Sequence, residues 1–192
     1  MALCFAHTAA GYLAYEAVRP ASAHRPGLLA AAVLLANGPD LDFVPGILLG
    51  HPGAFHRGIT HTVLAVVVVA AAVALGARLA GRRGWRAAAA WAGAVYASHL
   101  VLDFFTVDAV PPCGARFLWP FSDAYYISPH TVLPEIVIDG RSVGGLAQSL
   151  ITPRTYPVWG QEVALLVVVV AAVHAVRAAL ARVAWSDARE RS

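Results

Sequence analysis

Lysine is missing from this chain: all 14 basic residues are arginine. With the richness in Ala, Val and Gly, that fits a GC-rich genome and carries no mechanism. Charge of either sign is scarce. Only 13% of residues are charged and 59% are hydrophobic, where a soluble domain has about a quarter charged. The mean hydropathy of +0.64 suits a bilayer protein. A net charge of +3 with no basic face excludes nucleic-acid binding. The two cysteines, Cys4 and Cys113, lie far apart, match no zinc spacing and read as free thiols. There is no His-Glu-x-x-His, which argues against a zincin-type intramembrane protease. There is no Gly-x-Ser-x-Gly, which argues against a serine-hydrolase elbow. Ala21-Ser22-Ala23 resembles a signal-peptide cleavage site. The run before it has no basic start and contains His7, Glu16 and Arg19, so residues 1–18 read as a retained helix. No repeat or linker divides the chain, and residues 1–192 are expected to form a single domain.

What is present reads as an all-α membrane bundle of about five segments. Residues 2–18 form a helix on which His7, Gly11 and Tyr15 share one face at a spacing of four. The apolar run 27–36 is stopped by Asn37-Gly38-Pro39, which breaks the second segment at Pro39. Residues 43–50 resume it. Thr62 to Leu79, Ala87 to Phe105 and residues 160–183 are further membrane helices, with Thr60 a candidate cap for the first of these. Residues 106–158 are rich in Pro, Gly and aromatics and form a long loop, with β character at Thr131–Ile138 that suits a hairpin arm. Arginines cluster at 78–86, at 177–191 and at Arg19 and Arg25. Arginine-rich short loops stay cytoplasmic, which puts the N-terminus, residues 50–60 and the long loop outside.

The stretch Asn37 to His61 concentrates the chemistry, with Asp40, Asp42, His56, Arg57 and His61 in a chain that otherwise avoids charge. Counted from the cytoplasmic ends at the helical rise, His7 lies about 18 Å up its helix and Asp40 and His99 about 20 Å, in one layer of the outer half. His99 and Asp103 share a helix face and can hold one ion, or simply bond helix to helix. Of Asp40 and Asp42, one can bridge metals while the other binds terminally or orients a histidine; a solvated helix-stop turn is the bland alternative. Arg57 is a clamp for phosphate or an interfacial charge. His174 reads as a packing or interhelical hydrogen-bond residue. Asp123, Asp139, Glu135 and Glu162 are candidates to line the mouth of the site.

Four short motifs occur in order: His7-Thr8-Ala9-Ala10-Gly11, Gly38-Pro39-Asp40-Leu41-Asp42, His56-Arg57-Gly58-Ile59-Thr60-His61, and His99 to Asp103 with Thr106. Together they resemble the predicted membrane-bound metal-dependent hydrolase family that includes the YdjM-type inner-membrane proteins. Trp119-Pro120-Phe121-Ser122 resembles a further element of it. More distantly, the order is similar to the helical fold of zinc-dependent phospholipase C and nuclease. The resemblance implies metal ligation by His7, Asp40, Asp42, His56, His61, His99 and Asp103. Catalytic roles are expected of Asp40, Asp42, Asp103 and Arg57, and substrate contacts of Arg57, Thr60, Thr106 and Ser122. The expected cofactor is one to three divalent ions, zinc or manganese. The expected activity is hydrolysis of a phosphoester in a membrane lipid or lipid-linked substrate, on the extracytoplasmic side of a bacterial cytoplasmic membrane. A non-enzymatic protein with a structural or regulatory metal is the alternative, and the oligomeric state is open.

The orientation is testable with an impermeant thiol probe. In a background lacking Cys4 and Cys113, a cysteine placed at Gly81 should react only from the cytoplasmic face; labelling from outside reverses the topology.

Overall fold

The computed structural model describes residues 4–20 and 23–190. Ala21 and Ser22 of the cleavage-like triplet and Arg191 and Ser192 of the charged tail lie outside them, as do the side chains of residues 184–185 and 187–190. Among the described residues the protein is all-α, with seven α-helices, short 3-10 turns and no strand. The helices are α1 (Cys4–Val18), α2 (Pro26–Ala36), α3 (Phe43–Leu48), α4 (Val63–Leu79), α5 (Trp85–Phe104), α6 (Val143–Leu150) and α7 (Tyr156–Glu190).

α5 is the central element and packs against α1, α2 and α4, while α7 lies along α1. The α1 face carrying His7, Gly11 and Tyr15 is buried. Gly11 makes this possible, because a Cβ there would stand 2.8 Å from the Ala32 carbonyl oxygen and 3.1 Å from Ala36 Cβ. The missing side chain lets the two backbones touch. α2 opens on Pro26, whose fixed φ suits the first helical turn. It ends at Asn37, whose side-chain amide donates to Val33 O at 2.9 Å and Thr8 Oγ1 at 3.2 Å. Pro39 then begins a 3-10 turn to Asp42, and the chain leaves α2 bent by 64°. α4 is capped by Thr62, whose hydroxyl accepts from the Ala65 N–H at 3.1 Å. Thr60 is therefore not the cap; it stands in the 3-10 turn before the helix, two residues too early to reach a first-turn N–H.

One helix, Tyr156–Val183, is long and apolar enough to cross a membrane, with a mean hydropathy of 2.4. The bent pair Pro26–Ala36 and Pro39–Leu48 passes the same test together. The five expected segments are thus not all of spanning length and polarity. α4 has 17 residues, about 26 Å of rise, and α1 and α5 are diluted by the polar residues they turn inward. The burial pattern is inverted relative to a water-soluble core. The most apolar window of α7 has none of its residues buried. Leu34, Leu48, Leu49, Val67 and Val68 point outward, while histidines and aspartates point in.

The segment after α5 does not form the expected hairpin arm. Thr131–Ile138 runs extended along the end of α5, where Val132 and Leu133 N–H groups donate to Phe105 O and the Val107 N–H donates to Leu133 O. Its partner is a helix terminus with free carbonyls rather than a second strand, which leaves isolated bridges. Within the loop, α6 is capped by Ser142, which accepts from the Gly145 N–H at 3.0 Å. α7 begins four residues earlier than the apolar run suggests, at Tyr156. Ile136, Ile138, Leu150, Val158 and Trp159 pack with Phe5 as a small core over the N-terminal end of α1. Glu162 accepts from the Ala6 N–H at 3.1 Å, serving a first-turn donor that α1 cannot satisfy itself.

Gly11→Ala should destabilise the protein by about 1–3 kcal/mol through overpacking, read as a lowered unfolding midpoint in detergent. Gly76→Ala, with nothing within 4 Å of the added carbon, serves as the neutral comparison.

Candidate metal centre

Four separate segments bring their polar side chains to one place. α1 supplies His7, and the turn after the Pro39 break supplies Asp40 and Asp42. The loop before α4 supplies His56 and His61, and the last turns of α5 supply His99 and Asp103. His7, His61 and His99 are fully buried and Asp103 is 7% exposed. Asp40 Oδ1 stands 3.5 Å from both His61 Nε2 and His99 Nε2. Asp103 Oδ2 stands 3.6 Å from His61 Nε2 and 3.5 Å from His99 Nε2. His7 Nε2 lies 3.8 Å from Asp103 Oδ1, and its ring stacks on that of His99 at 3.7 Å. Three overlapping groups each place one ligand atom per residue within 4.8 Å of the others: His7, Asp40 and His99; Asp40, His56 and His61; and His61, His99 and Asp103.

These separations discriminate between two kinds of contact. A charge-assisted hydrogen bond between imidazolium and carboxylate is about 2.7–2.9 Å. Two ligands about 2.1 Å from one tetrahedral ion stand about 3.4 Å apart. The observed 3.5–3.6 Å spacings match the second. Both nitrogens of His7, Nε2 of His56, His61 and His99, Oδ1 of Asp40 and both oxygens of Asp103 are buried without a hydrogen-bond partner. Such atoms are costly unless something compensates them.

The other faces of these side chains are held. His99 Nδ1 lies 2.8 Å from the Ala36 carbonyl oxygen. A carbonyl only accepts, so Nδ1 carries the proton and, in the neutral ring, Nε2 presents its lone pair to the cluster. Asp42 stands in none of the three groups. Its oxygens accept from Thr60 Oγ1 at 2.9 Å and the Arg57 N–H at 3.1 Å, and they face His56 Nδ1 at 3.1 Å and His61 Nδ1 at 3.2 Å. Asp42 thereby fixes both rings. Burial lowers the pKa of His56 below its ordinary value despite the Asp42 carboxylate, which favours the neutral ring that a metal needs.

The remaining expected residues are placed differently. Arg57 has a left-handed backbone (φ 58°), which turns its side chain into an ion pair with Asp108 and toward the Gly114 carbonyl at 3.2 Å. Thr60 is engaged with Asp42. The Thr106 hydroxyl donates back to Leu102 O at 2.8 Å, closing α5. Ser122 pairs with Tyr126 and with the Ala124 N–H within its own turn. Of the acids expected at the mouth, Glu162 serves α1, Asp139 pairs with Arg141, Asp123 faces Arg116 from an exposed position, and Glu135 accepts from the Ala109 N–H. His174 donates to Val170 O in its own helix rather than across to another. Sequence reading missed Asp108, 51 residues from its arginine partner. A lone acid in a proline-rich turn carries no periodic signal.

Two pockets flank His56. One of about 370 Å³ is lined by Arg57, Asp108 and Glu135, among others, and the other of about 490 Å³ runs between Leu41 and Ile59.

An all-α protein whose apolar surface faces outward and whose interior holds a His/Asp cluster able to bind metal defines a class. A model of the YdjM inner membrane protein family matches residues 1–183, and the chain belongs to that family. No curated protein and no solved structure matches it.

The two ion pairs of the site's surroundings should behave differently. Asp108, with 7% of its side chain exposed, also accepts from the Gly114 N–H at 2.6 Å. Asp108→Ala should cost about 3 kcal/mol by stranding Arg57. Asp123, 84% exposed opposite Arg116, should cost less than about 0.5 kcal/mol when replaced by alanine. Denaturant midpoints of the two variants measure the contrast.

Proposed function

We propose that this protein is a membrane-embedded metal-dependent hydrolase acting on a phosphoester in a lipid or lipid-linked substrate. The observation that carries the reading is the set of buried, unpartnered ligand atoms spaced 3.5–3.6 Å apart. His7, Asp40, His61, His99 and Asp103 would hold one or more ions, zinc or manganese, with His56 adding a ligand at the edge. Asp40, His61 and His99 each belong to two of the three groups, so neighbouring groups overlap in one residue, which supports more than one ion. When bound, such an ion lowers the pKa of a coordinated water toward neutrality and supplies hydroxide.

The chain's own residues do the rest. Asp42 orients His56 and His61 and is not itself a ligand in this reading. Asp103 Oδ1, turned toward His7 Nε2, is placed to accept a proton. Arg57, held through Nη1 by Asp108, lines the pocket beside His56 and can present the rest of its guanidinium to a phosphoryl oxygen. Thr106 and Ser122 act on the shape of the surrounding loop rather than on substrate.

The five-segment architecture is part of the proposal. The inward polar and outward apolar pattern suits a bundle in lipid, where buried polar residues mark the functional site. Arg177 pairs with Glu16 and donates to its carbonyl oxygen at 2.6 Å, and Arg19 pairs with Glu16 at 2.7 Å. That joins the arginine-rich ends of α1 and α7 on one side, taken as cytoplasmic, and leaves the centre in the outer half.

Elemental analysis of detergent-purified protein tests this reading. Two or more ions per chain, lost from Asp40→Asn and His99→Ala while helicity persists, are expected, together with phosphoester hydrolysis that disappears in both. One ion retained in either variant points to a structural site. No ion after reconstitution with zinc and manganese would sink the proposal.

A further inference from the structure

We infer that the groove between the Pro39–Leu48 segment and the loop 54–60 ahead of α4 admits a membrane lipid sideways, and that Arg116 binds the lipid's phosphate. The inference rests on the lipid-hydrolase reading and assigns it a substrate-selecting residue.

The groove walls are apolar, formed by Leu41, Pro45, Phe55 and Ile59. Leu41 is 57% exposed, Phe55 45% and Ile59 62%. Leu48 on α3 and Val63 and Val67 on α4, the helices on either side of this lining in the chain, are exposed as well. An acyl chain lying in the bilayer would meet mainly apolar side chains on entering. Asp42 and His56 also line the groove, so it ends against the metal cluster. A phosphoester bond carried at the head of such a chain would reach the cluster without leaving the membrane interface.

Arg116 is the cation of this groove. Its Nη1 lies 3.5 Å from Asp123, whose side chain is 84% exposed, and its guanidinium stands over the Tyr125 ring at 5.9 Å. An ion pair that open to water contributes little. Arg116 can exchange it for a phosphate, which its planar fork holds in two hydrogen bonds. Arg57 differs in both respects. It lines the other pocket, across His56, and its Nη1 is held by the buried Asp108 and by Gly114 O, which fixes the guanidinium in place beside the cluster rather than leaving it to exchange partners. Charge complementarity thus commits the groove to an anionic phospholipid rather than a neutral amphiphile. Arg116 is a specificity residue in this assignment, acting on capture rather than on bond cleavage.

The test measures capture directly. A photoreactive benzoyl-phenylalanine replaces Ile59 in the full chain, which is reconstituted in phosphatidylcholine vesicles with or without an equal share of phosphatidylglycerol. Cross-linked lipid is counted by mass. Position 59 should capture phosphatidylglycerol over phosphatidylcholine by about tenfold, because the two share the phosphate and only phosphatidylcholine brings a trimethylammonium cation up to Arg116. Arg116→Ala should remove the preference, Arg116→Lys should restore part of it, and Asp123→Ala should preserve it. The same probe at Leu75, exposed on α4, should show no preference that depends on Arg116. Capture of a second copy of the chain, absence of lipid at position 59, or a preference that survives Arg116→Ala would overturn the inference. His99→Ala separates this from the enzyme reading. Capture that persists there without any hydrolysis in the unmodified protein keeps the groove and removes the hydrolase.

Discussion

The protein depends on burying carboxylates and imidazoles against one another among apolar helices. Moving an unpaired ion out of water costs several kcal/mol even after relaxation. Here buried oxygens of Asp40 and Asp103 face buried nitrogens of His61 and His99 at distances too long for hydrogen bonds. Such an arrangement is costly unless positive charge sits among the carboxylates, and the groups converge closely enough that a metal ion could supply it.

Each helical feature near the cluster serves that convergence. Gly11 lets α2 lie on α1, and this carries Ala36 to the point where its carbonyl holds His99 Nδ1. Pro39 ends the helical ladder at the depth where Asp40 must turn inward. Tyr96 donates to the Thr60 carbonyl at 2.9 Å, which ties the loop bearing His56 and His61 to α5. The long loop closes this end of the bundle through its bonds to α5 and through the docking of Gly140 against Gly53, where the two backbones meet with no room for a Cβ. Irregular backbone of this kind is tolerated near a membrane because it is packed on protein.

Electrostatics divides the surroundings into two compartments. Arg57 is held by a buried aspartate in a pocket that also contains Glu135. Arg116 is balanced by an aspartate in water and belongs to an apolar groove. The difference in solvent exposure of Asp108 and Asp123 fixes one arginine in position beside the cluster and leaves the other free to exchange its partner.

The sequence by itself determined the all-α class, the break at Pro39 and which histidines and aspartates stand out, but not how many helices are of spanning length. Helical spacing puts His7 with Gly11 and His99 with Asp103, and scarce charge makes every acid and histidine stand out. Spacing allowed Asp40 and Asp42 different roles, or merely a solvated turn. Only the tertiary structure set Asp42 against His56 and His61, because its partners lie 14 to 19 residues away on another loop. The same holds for Asp108 against Arg57, for Thr62 rather than Thr60 as cap, and for the extended run 131–138 against a helix end. Periodicity reports contacts within one element. Contacts between elements depend on how the bundle closes, and that is set by packing and by where the chain can satisfy its buried polar atoms.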